Sequence, residues 1–405
     1  MKRIALSLVS LFMVFSLVGC TPAVPEESAQ GVTDTEVLIA NCAATSGAFA
    51  PVGVPFLAGI QAYLDMVNAA GGVNGRSIKF IHQDDEFDPV KGKACLASMI
   101  NDEKVFAIVG HFGTPVVGAT LQDLKDAGIP AVYFATGIGQ LYDDQATDEE
   151  MNRNILPVQP IYKNEGQIMV ARAVGDFGAK TIGVIYTSDD AGKDLLYGVE
   201  LKAAELGATI VKEQVEPGAT DVSAAVTKIK EANVDFVIGA AIQATIPTII
   251  KELAAQSVNK DVITTYVNVS PAIASTFIAD IEGKFDVYGS GWVAFDAAHK
   301  AAIDEYVANI SADYAGNAYA MTGWIAATFF VEGLKRVEGV VTWAKYIDAM
   351  ESAPITNPFG GVIDFTNGQR LGTQEMNLSK AVKAEDGTGK WENVMPLESI
   401  STILG

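Results

Sequence analysis

The chain has 405 residues, of which 49% are hydrophobic and 19% charged, and its formal net charge at pH 7 is -21. This composition excludes a disordered chain, and a prior of roughly 150 residues per domain allows two or three domains. The negative charge argues against a nucleic-acid-binding surface, because such a surface must neutralise several phosphates with Lys and Arg. With three His, three Cys and no CxxC or HExxH pairing, we expect no metal centre.

The N-terminus has the pattern of a bacterial secretory signal. Two basic residues precede an apolar segment over 4–18, and Leu-Val-Gly-Cys occupies 17–20. This ending resembles the lipobox, in which the Cys is acylated after cleavage in front of it; an ordinary signal with an incidental Cys is the alternative. We predict a lipoprotein signal peptide over 1–19, lipidation at Cys20 and a flexible tether over 20–32. The folded part then lies outside the cytoplasmic membrane, anchored by lipid at the cell surface or in the periplasm.

Short Val- and Ile-rich runs alternate with helical patterns from residue 33 onward. The run 36–42 is apolar on both faces, which is typical of a central parallel strand. Asp88 and Pro89 supply an N-cap and a first-turn Pro for a helix. The series predicts strands at 36–42, 78–83, 106–110 and 129–134, and helices at 56–70, 90–101 and 116–127. Such alternation indicates a doubly wound parallel sheet.

A second series of the same kind follows. It predicts helices at 165–177, 192–206, 222–232 and 245–256, and strands at 181–186, 209–214, 236–239 and 262–266. Further helices are predicted at 298–309, 319–337 and 342–350, before a tail of small antiparallel strands. No segment after the signal is expected to span a membrane, because the most apolar stretch, 318–331, is shorter than the roughly 20 residues required.

Several of these segments resemble one known family. The run TSGAFAPVGVPFLAGIQAYLDMVNAAGGVNGRSIKFIHQDDEFDP, followed by FAIVGHFGTP, GIPAVYFATG and KTIGVIYTSDDAGKD, is similar to the solute-binding proteins of branched-chain amino-acid-type ABC importers. These form the Leu/Ile/Val-binding, or type I periplasmic-binding-protein, family. The resemblance implies an α/β fold of two doubly wound parallel-sheet lobes, joined by three crossover strands, that close on a ligand. The expected boundaries are 33–158 plus 292–357 for lobe I, 159–291 plus 358–405 for lobe II, and crossovers near 158–162, 288–293 and 356–365.

The ligand is expected beyond the carboxyl ends of the strands, as in other doubly wound sheets. In the loop at 112–115, Thr114 is predicted as an N-cap and Pro115 as the first helical residue, so that free N–H groups would favour a carboxylate or carbonyl oxygen. The alternative is that this loop only caps a helix; the resemblance implies ligand contact. The candidate binding residues are Thr45, Ser46, Phe112, Gly113, Thr114, Ala135, Thr136, Gly137, Tyr162, Asp190 and Asn268.

The sequence departs from the amino-acid-binding members of the family at three places. Gly137 stands where a second hydroxyl is expected, Ala191 replaces an aromatic residue, and Val267 and Asn268 lie near the expected carboxylate. A buried ammonium without a carboxylate partner costs several kcal/mol. These departures weaken the case for a zwitterionic amino acid and leave a small amide, a carboxylic or aromatic acid, or another polar organic solute open.

The resemblance implies a binding protein and not an enzyme. It is expected to act as a monomer that captures a small organic solute and delivers it to ABC permease and ATPase subunits in the membrane. A ligand-sensing lipoprotein that partners a membrane receptor is an alternative that the chain does not distinguish. A secreted α/β enzyme is a third, but the sequence has no nucleophile–base set, phosphate loop or cofactor fingerprint, and His111 is interpreted as a hydrogen-bonded residue. No cofactor is expected.

Cys42 and Cys95 are the Cys residues that remain when Cys20 is acylated. Because parallel crossovers are right-handed, the helix predicted at 90–101 crosses back over the first strand, which carries Cys42 at its end. A disulfide and two buried thiols both remain open.

The lipobox predicts that Cys20→Ala moves the protein from the membrane fraction to the periplasm or medium, because the acyl anchor is lost. Fractionation and palmitate labelling of wild type and variant measure this. Palmitate incorporation that is unchanged in the variant would contradict lipidation at Cys20.

Overall fold

The computed structural model describes residues 27–143, 153–294 and 297–405. The predicted signal peptide and Cys20 lie outside these residues. The end of the predicted tether contacts the folded body: Ala29 N–H donates to the carbonyl of Val341 at 2.9 Å, and the Gln30 side chain donates to the carbonyls of Ile100 and Val105. The bounds of the tether stay a prediction.

The first sheet is parallel and has five strands in the order β2-β1-β3-β4-β5. Its elements are β1 (Glu36–Ala43), α1 (Ala50–Ala69), β2 (Ser77–Asp84), α2 (Pro89–Asn101), β3 (Ala107–Phe112), α3 (Thr114–Ala127), β4 (Ala131–Ala135) and β5 (Ile155–Leu156). The predicted cap of α2 is confirmed, since the Asp88 carboxylate accepts the N–H groups of Val90 and Lys91 at 2.8 and 3.0 Å.

The second sheet is mixed and has the order β14-β13-β10-β9-β8-β6-β7. Strands β6 to β10 are parallel, whereas β13 and β14 join antiparallel at the β10 edge. Its strands are β6 (Thr181–Thr187), β7 (Thr209–Val215), β8 (Phe236–Ala240), β9 (Val262–Thr264), β10 (Val287–Gly291), β13 (Glu375–Lys383) and β14 (Gly389–Ser399). The helices between them are α4 (Tyr162–Gly175), α5 (Asp190–Leu206), α6 (Ser223–Glu231), α7 (Ile246–Ala255) and α8 (Pro271–Ile281). The α/β architecture of two sheets is confirmed, with the correction that the predicted antiparallel tail enters the second sheet.

The remaining elements return to the first sheet and then leave it. They are α9 (Lys300–Asn309), α10 (Ala318–Lys335), α11 (Trp343–Met350), the antiparallel ribbon of β11 (Ile355–Thr356) and β12 (Val362–Ile363), and α12 (Ile400–Leu404). α10 packs on α1, β3 and β4. The chain thus passes between the sheets three times: after β5, after β10 and through the ribbon. The first passage, 157–161, is not a strand, and the lobe boundaries stay a prediction.

Helix α1 begins six residues before its predicted start. Pro51 lies in its first turn, and the hydrogen bond that Pro55 cannot donate is a single one near the N-terminus, so the helix tolerates both residues. The proline pair obscured this start in the sequence, where the apolar spacing indicated a helix from residue 56.

The helical stretch Gly47–Ala69 is, among the described residues, long and apolar enough to cross a membrane by length and composition. The expectation that 318–331 is the most apolar stretch after the signal overlooks this one. The stretch is packed inside the protein: a Cβ at Gly59 would lie 1.8 Å from the carbonyl oxygen of Ala320, and one at Gly323 would lie 1.9 Å from that of Phe56. Such close backbone contact between α1 and α10 identifies α1 as a core helix.

Cys42 and Cys95 form a disulfide with their Cα atoms 6.1 Å apart. Both residues are fully buried, in an apolar cluster that includes Leu96 and Met99 from α2. The bridge ties α2 to the central strand β1 and closes a loop with a sequence separation of 53 residues. The right-handed crossover brings the two residues together, and they form a disulfide and not two buried thiols.

The disulfide predicts that neither Cys42 nor Cys95 reacts with a maleimide under denaturing, non-reducing conditions, and that both react after reduction. Cys95→Ala should leave Cys42 reactive and lower the free energy of unfolding by about 2–4 kcal/mol, because the unfolded chain loses a constraint. Peptide mass mapping and denaturant titration measure the two effects. Full labelling of both residues before reduction would exclude the bridge.

Candidate functional site

A cavity of about 770 Å³ lies between the two sheets. The order of the parallel strands is the same in both, β2-β1-β3-β4-β5 in the first and β7-β6-β8-β9-β10 in the second. In each sheet the order of strands changes direction between two neighbouring parallel strands: β1 and β3 in the first sheet, β6 and β8 in the second. The loops that follow these two strands run to opposite sides of the sheet and leave a crevice between them. Ligands of open α/β sheets bind in this crevice. The volume falls in the range of about 300–1,000 Å³ found for small-molecule sites.

Phenylalanines from the first sheet form one wall of the cavity. Phe49 and Phe87 are stacked, with ring centroids 3.7 Å apart and planes inclined by 13°. Phe112 lies edge-on to Phe87 at 6.2 Å, and Phe56 lies 5.9 Å from Phe112. Phe49 and Phe87 remain partly exposed, whereas Phe56 and Phe112 are buried. The stacked pair is therefore the part of this wall that an occupant of the cavity can cover.

Phe87 is held at the cavity by an unusual backbone. Glu86 and Phe87 have φ angles of 54° and 63°, in the left-handed region that bulky residues avoid. The buried carboxylate of Asp85 accepts the N–H of Phe87 at 2.9 Å and supports this turn. A Cβ at Gly113, whose φ is 91°, would lie 2.6 Å from the Phe87 ring. Glycine at 113 is thus required both by its own backbone and by the ring beside it.

Three predicted site residues form a hydroxyl cluster where α3 begins. The hydroxyl oxygens of Thr114 and Thr136 are 2.8 Å apart, and the buried Tyr162 side chain lies next to them. The prediction of Thr114 as the N-cap is wrong: Gly113 occupies that position, and Thr114 is the first residue of α3. Its hydroxyl binds Thr136 across the loop and is therefore not free to cap its own helix.

Tyr266 and Gln159 form the opposite wall near the first passage between the sheets. The Tyr266 hydroxyl donates to Gln159 Oε1 at 3.1 Å, and its ring lies 5.9 Å from that of Tyr162. Behind this wall, Glu165 is fully buried and accepts the Thr265 hydroxyl and the Tyr266 N–H, each at 2.6 Å. Burial raises the pKa of Glu165 to about 8, although these hydrogen bonds oppose the rise.

The cavity contains little charge. Within the described residues its lining has two ionisable Lys, Asp, Glu or Arg side chains, Lys390 and Glu392, which pair with each other at 2.8 Å and are about half exposed. The lining also carries the amides of Gln159, Gln243, Asn377 and Asn393. The amide nitrogens of the first three donate to the Tyr133 hydroxyl and to the carbonyls of Val267 and Val293, and the buried Oδ1 of Asn377 has no partner among the described residues. The arrangement can enclose an uncharged or weakly charged organic molecule, and it offers no general base or nucleophile set.

The eleven candidate binding residues divide into two groups. Those that line the cavity are Phe112, Gly113, Thr114, Ala135 and Tyr162. Those outside the lining are Thr45, Ser46, Thr136, Gly137, Asp190 and Asn268.

The residues outside the lining have other contacts. The N–H groups of Thr45 and Glu86 donate to Asp84 at 2.9 and 3.0 Å, and Ser46 lies next to the same carboxylate, whose pKa falls to about 2 because hydrogen bonding outweighs its burial. Asp190 begins α5, next to its N-cap Asp189. The Asn268 amide is buried and donates to the carbonyl of Ala241 and the hydroxyl of Thr264.

Most of the aromatic lining was missed from the sequence. It comprises Phe49, Phe56, Phe87, Tyr266, Trp292, Tyr319 and Trp391. A usable signal exists for three of them: Phe87, Tyr266 and Trp292 each follow the end of a strand by one to three residues. An aromatic residue just beyond a carboxyl strand end lies where ligands bind.

His111 does not contribute to the cavity lining. It is fully buried, and its Nε2 lies 2.8 Å from the Thr120 hydroxyl. Burial lowers the pKa of His111 to about 4, so the ring is neutral at physiological pH. This agrees with its interpretation as a hydrogen-bonded residue.

Comparison with known proteins identifies the class. A model of the periplasmic binding protein family matches residues 36–388, and the chain belongs to this family. An amino acid binding protein of Pseudomonas aeruginosa is 27% identical over 210 residues, which cover 50% of this chain and 53%, about half, of that relative. The Leu/Ile/Val-binding protein homolog 2 of Brucella abortus is 24% identical over 260 residues, covering 64% of this chain and 68% of that protein. The predicted relationship to the Leu/Ile/Val-binding family is confirmed.

Solved structures of the same fold bind different solutes according to their names. A fatty acid ABC transporter substrate-binding protein from Thermomonospora curvata superposes with a TM-score of 0.79 at 20% identity, covering 93% of this chain and 96% of that chain. A branched chain amino acid ABC transporter from Thermus thermophilus with bound valine gives 0.78 at 17% identity, covering 92% and 98%. At these identities the likeness concerns the fold.

The raised pKa of Glu165 predicts how stability changes with pH. Between its ordinary pKa near 4.5 and about 8, the folded state binds more protons at this site than the unfolded state, so Glu165 makes stability fall as pH rises through this window and level off above it. Glu165→Gln should remove this component. Thermal unfolding at pH 5, 7 and 9 should show wild type losing stability relative to the variant as pH rises; a constant difference would contradict the assigned pKa.

Proposed function

We propose that the protein captures a small organic solute in the cavity between its two sheets and delivers it to the permease and ATPase subunits of an ABC importer. The observation that carries the proposal is the cavity itself, which lies at the strand-order reversal of the first sheet and draws its lining from both sheets, including β10 and the loops after β8 and β9 in the second. A solute in this position contacts both halves at once. Membership of the periplasmic binding protein family supports the same function.

The arrangement of the chain supports a clamp. Since three segments connect the two sheets, the two halves can rotate about them, as in hinge closure around a ligand. A solute that contacts both halves binds the closed state more tightly and shifts the population towards it. The solute classes proposed are amino acids and related amides or carboxylates. The proposed location is extracytoplasmic, with lipid anchoring through Cys20.

The clamp predicts that a bound solute raises the melting temperature and lowers the radius of gyration. At one hundred times its Kd, a ligand stabilises the folded state by about 2.7 kcal/mol. A panel of amino acids, amides and small organic acids, tested by thermal shift and X-ray scattering, measures both effects. Stabilisation without any decrease in the radius of gyration would contradict the clamp.

Two substitutions test whether the solute that raises the melting temperature binds in this cavity. Val267→Trp fills the cavity, of which Val267 is a lining residue, and should abolish the thermal shift. Val394→Trp, at a side chain that is 47% exposed and outside the lining, is the matched control and should retain it. A shift that survives Val267→Trp would place the binding site elsewhere.

A further inference from the structure

The lining of the cavity specifies a class of solute, and this step rests on the proposed function. We infer that the cavity selects a planar, ring-bearing organic solute without an ammonium group, and that the stacked pair Phe49 and Phe87 is the face against which its ring packs. The inference combines three observations: the aromatic lining, the strained position of Phe87 and the distribution of charge.

The lining is dominated by aromatic side chains from both halves. They are Phe49, Phe56, Phe87, Phe112, Tyr162, Tyr266, Trp292, Tyr319 and Trp391. Covering these rings with a molecule that has a large apolar surface removes that surface from water, which is favourable. A small polar zwitterion would leave much of this surface uncovered.

The position of Phe87 is costly for the folded chain. A bulky residue in the left-handed region is strained, and such strain concentrates at ligand clamps. Glu86 shares the conformation, with a φ of 54°. The Phe87 ring packs against the core but stays partly exposed at the cavity. Because it is stacked on Phe49 at 3.7 Å, the π surface left for a solute ring is the face of the pair that the two rings do not share, and aromatic rings associate favourably with such surfaces.

The charges of the lining disfavour an ammonium group. Glu392, the acidic lining residue of the described chain, is bound to Lys390 at the half-exposed rim. Glu165 lies behind the wall, with one oxygen bound to the Thr265 hydroxyl and the other to the Tyr266 N–H. An ammonium inside the cavity would lose its water without gaining a carboxylate. A carboxylate loses its water as well, but the N-terminus of α3, where Thr114 lines the cavity, offers it N–H groups and a favourable helix dipole.

Two matched pairs of compounds test the inference by isothermal titration calorimetry on the purified protein. 3-Phenylpropanoate and L-phenylalanine share a ring and a carboxylate and differ by the ammonium group; 4-methylpentanoate and L-leucine form the same pair without a ring. We expect 3-phenylpropanoate to bind at least roughly tenfold more tightly than the other three. Equal or tighter binding of L-leucine or L-phenylalanine would overturn the inference, and so would the absence of 3-phenylpropanoate binding.

Substitutions at Phe87 test whether the ring of the solute packs against this side chain. Phe87→Ala should weaken 3-phenylpropanoate binding by roughly tenfold or more, and Phe87→Leu, which keeps an apolar side chain if the Ala variant is unstable, should change it in the same direction. Tyr197→Ala, at an aromatic side chain that is 56% exposed and outside the lining, should leave the affinity unchanged. Unaltered binding in both Phe87 variants would overturn the assignment of this face.

The proposed function and the proposed class of solute are contradicted by different results. If amino acids bind and the radius of gyration decreases, the proposal of solute capture stands, but the inferred ring-bearing class of solute is wrong. Binding of 3-phenylpropanoate without compaction would support the class of solute and count against the clamp.

Discussion

The buried amide of Gln159 connects the two halves of the protein. Its nitrogen donates to the Tyr133 hydroxyl at 2.7 Å, and its oxygen accepts the Tyr266 hydroxyl at 3.1 Å. Tyr133 belongs to β4 of the first sheet, Tyr266 follows β9 of the second, and Gln159 lies where the chain first passes between them. Because an unpaired buried polar group costs about 1–3 kcal/mol, the three side chains hold one another in register. This contact sets how the carboxyl ends of the two sheets face a common cavity.

The walls of that cavity are stiff for identifiable reasons. On one side, Glu165 anchors the backbone of Tyr266, whose ring forms part of the wall. On the other, the Asp85 carboxylate supports the turn that presents Phe87. Side chains fixed before a ligand arrives lose little conformational entropy on binding, which lowers the cost of binding a solute that fits these walls. Because the described lining carries few charges, it also limits which polar groups such a solute can carry.

Much of the fold follows from local patterns, whereas much of the site does not. β1 is apolar on both faces, and Asp88 is an N-cap whose oxygen accepts nearby N–H groups. Residues close together in the sequence therefore determine both elements. The antiparallel tail was predicted as strands, but its pairing with β10 joins residues more than ninety positions apart, such as Tyr288 and Lys380. The hydroxyl cluster of Thr114 and the stacking of Phe87 likewise depend on chain segments that meet only after folding. The sequence therefore located the binding edge of the first sheet but not the aromatic surface that characterises it.

The identity of the molecule that the protein carries when isolated from its own cells tests the account most directly. Denaturing the purified protein and determining the released small molecules by high-resolution mass spectrometry gives both composition and stoichiometry. The account predicts close to one equivalent of a ring-bearing organic compound that lacks an ammonium group. One equivalent of an aliphatic α-amino acid would contradict it.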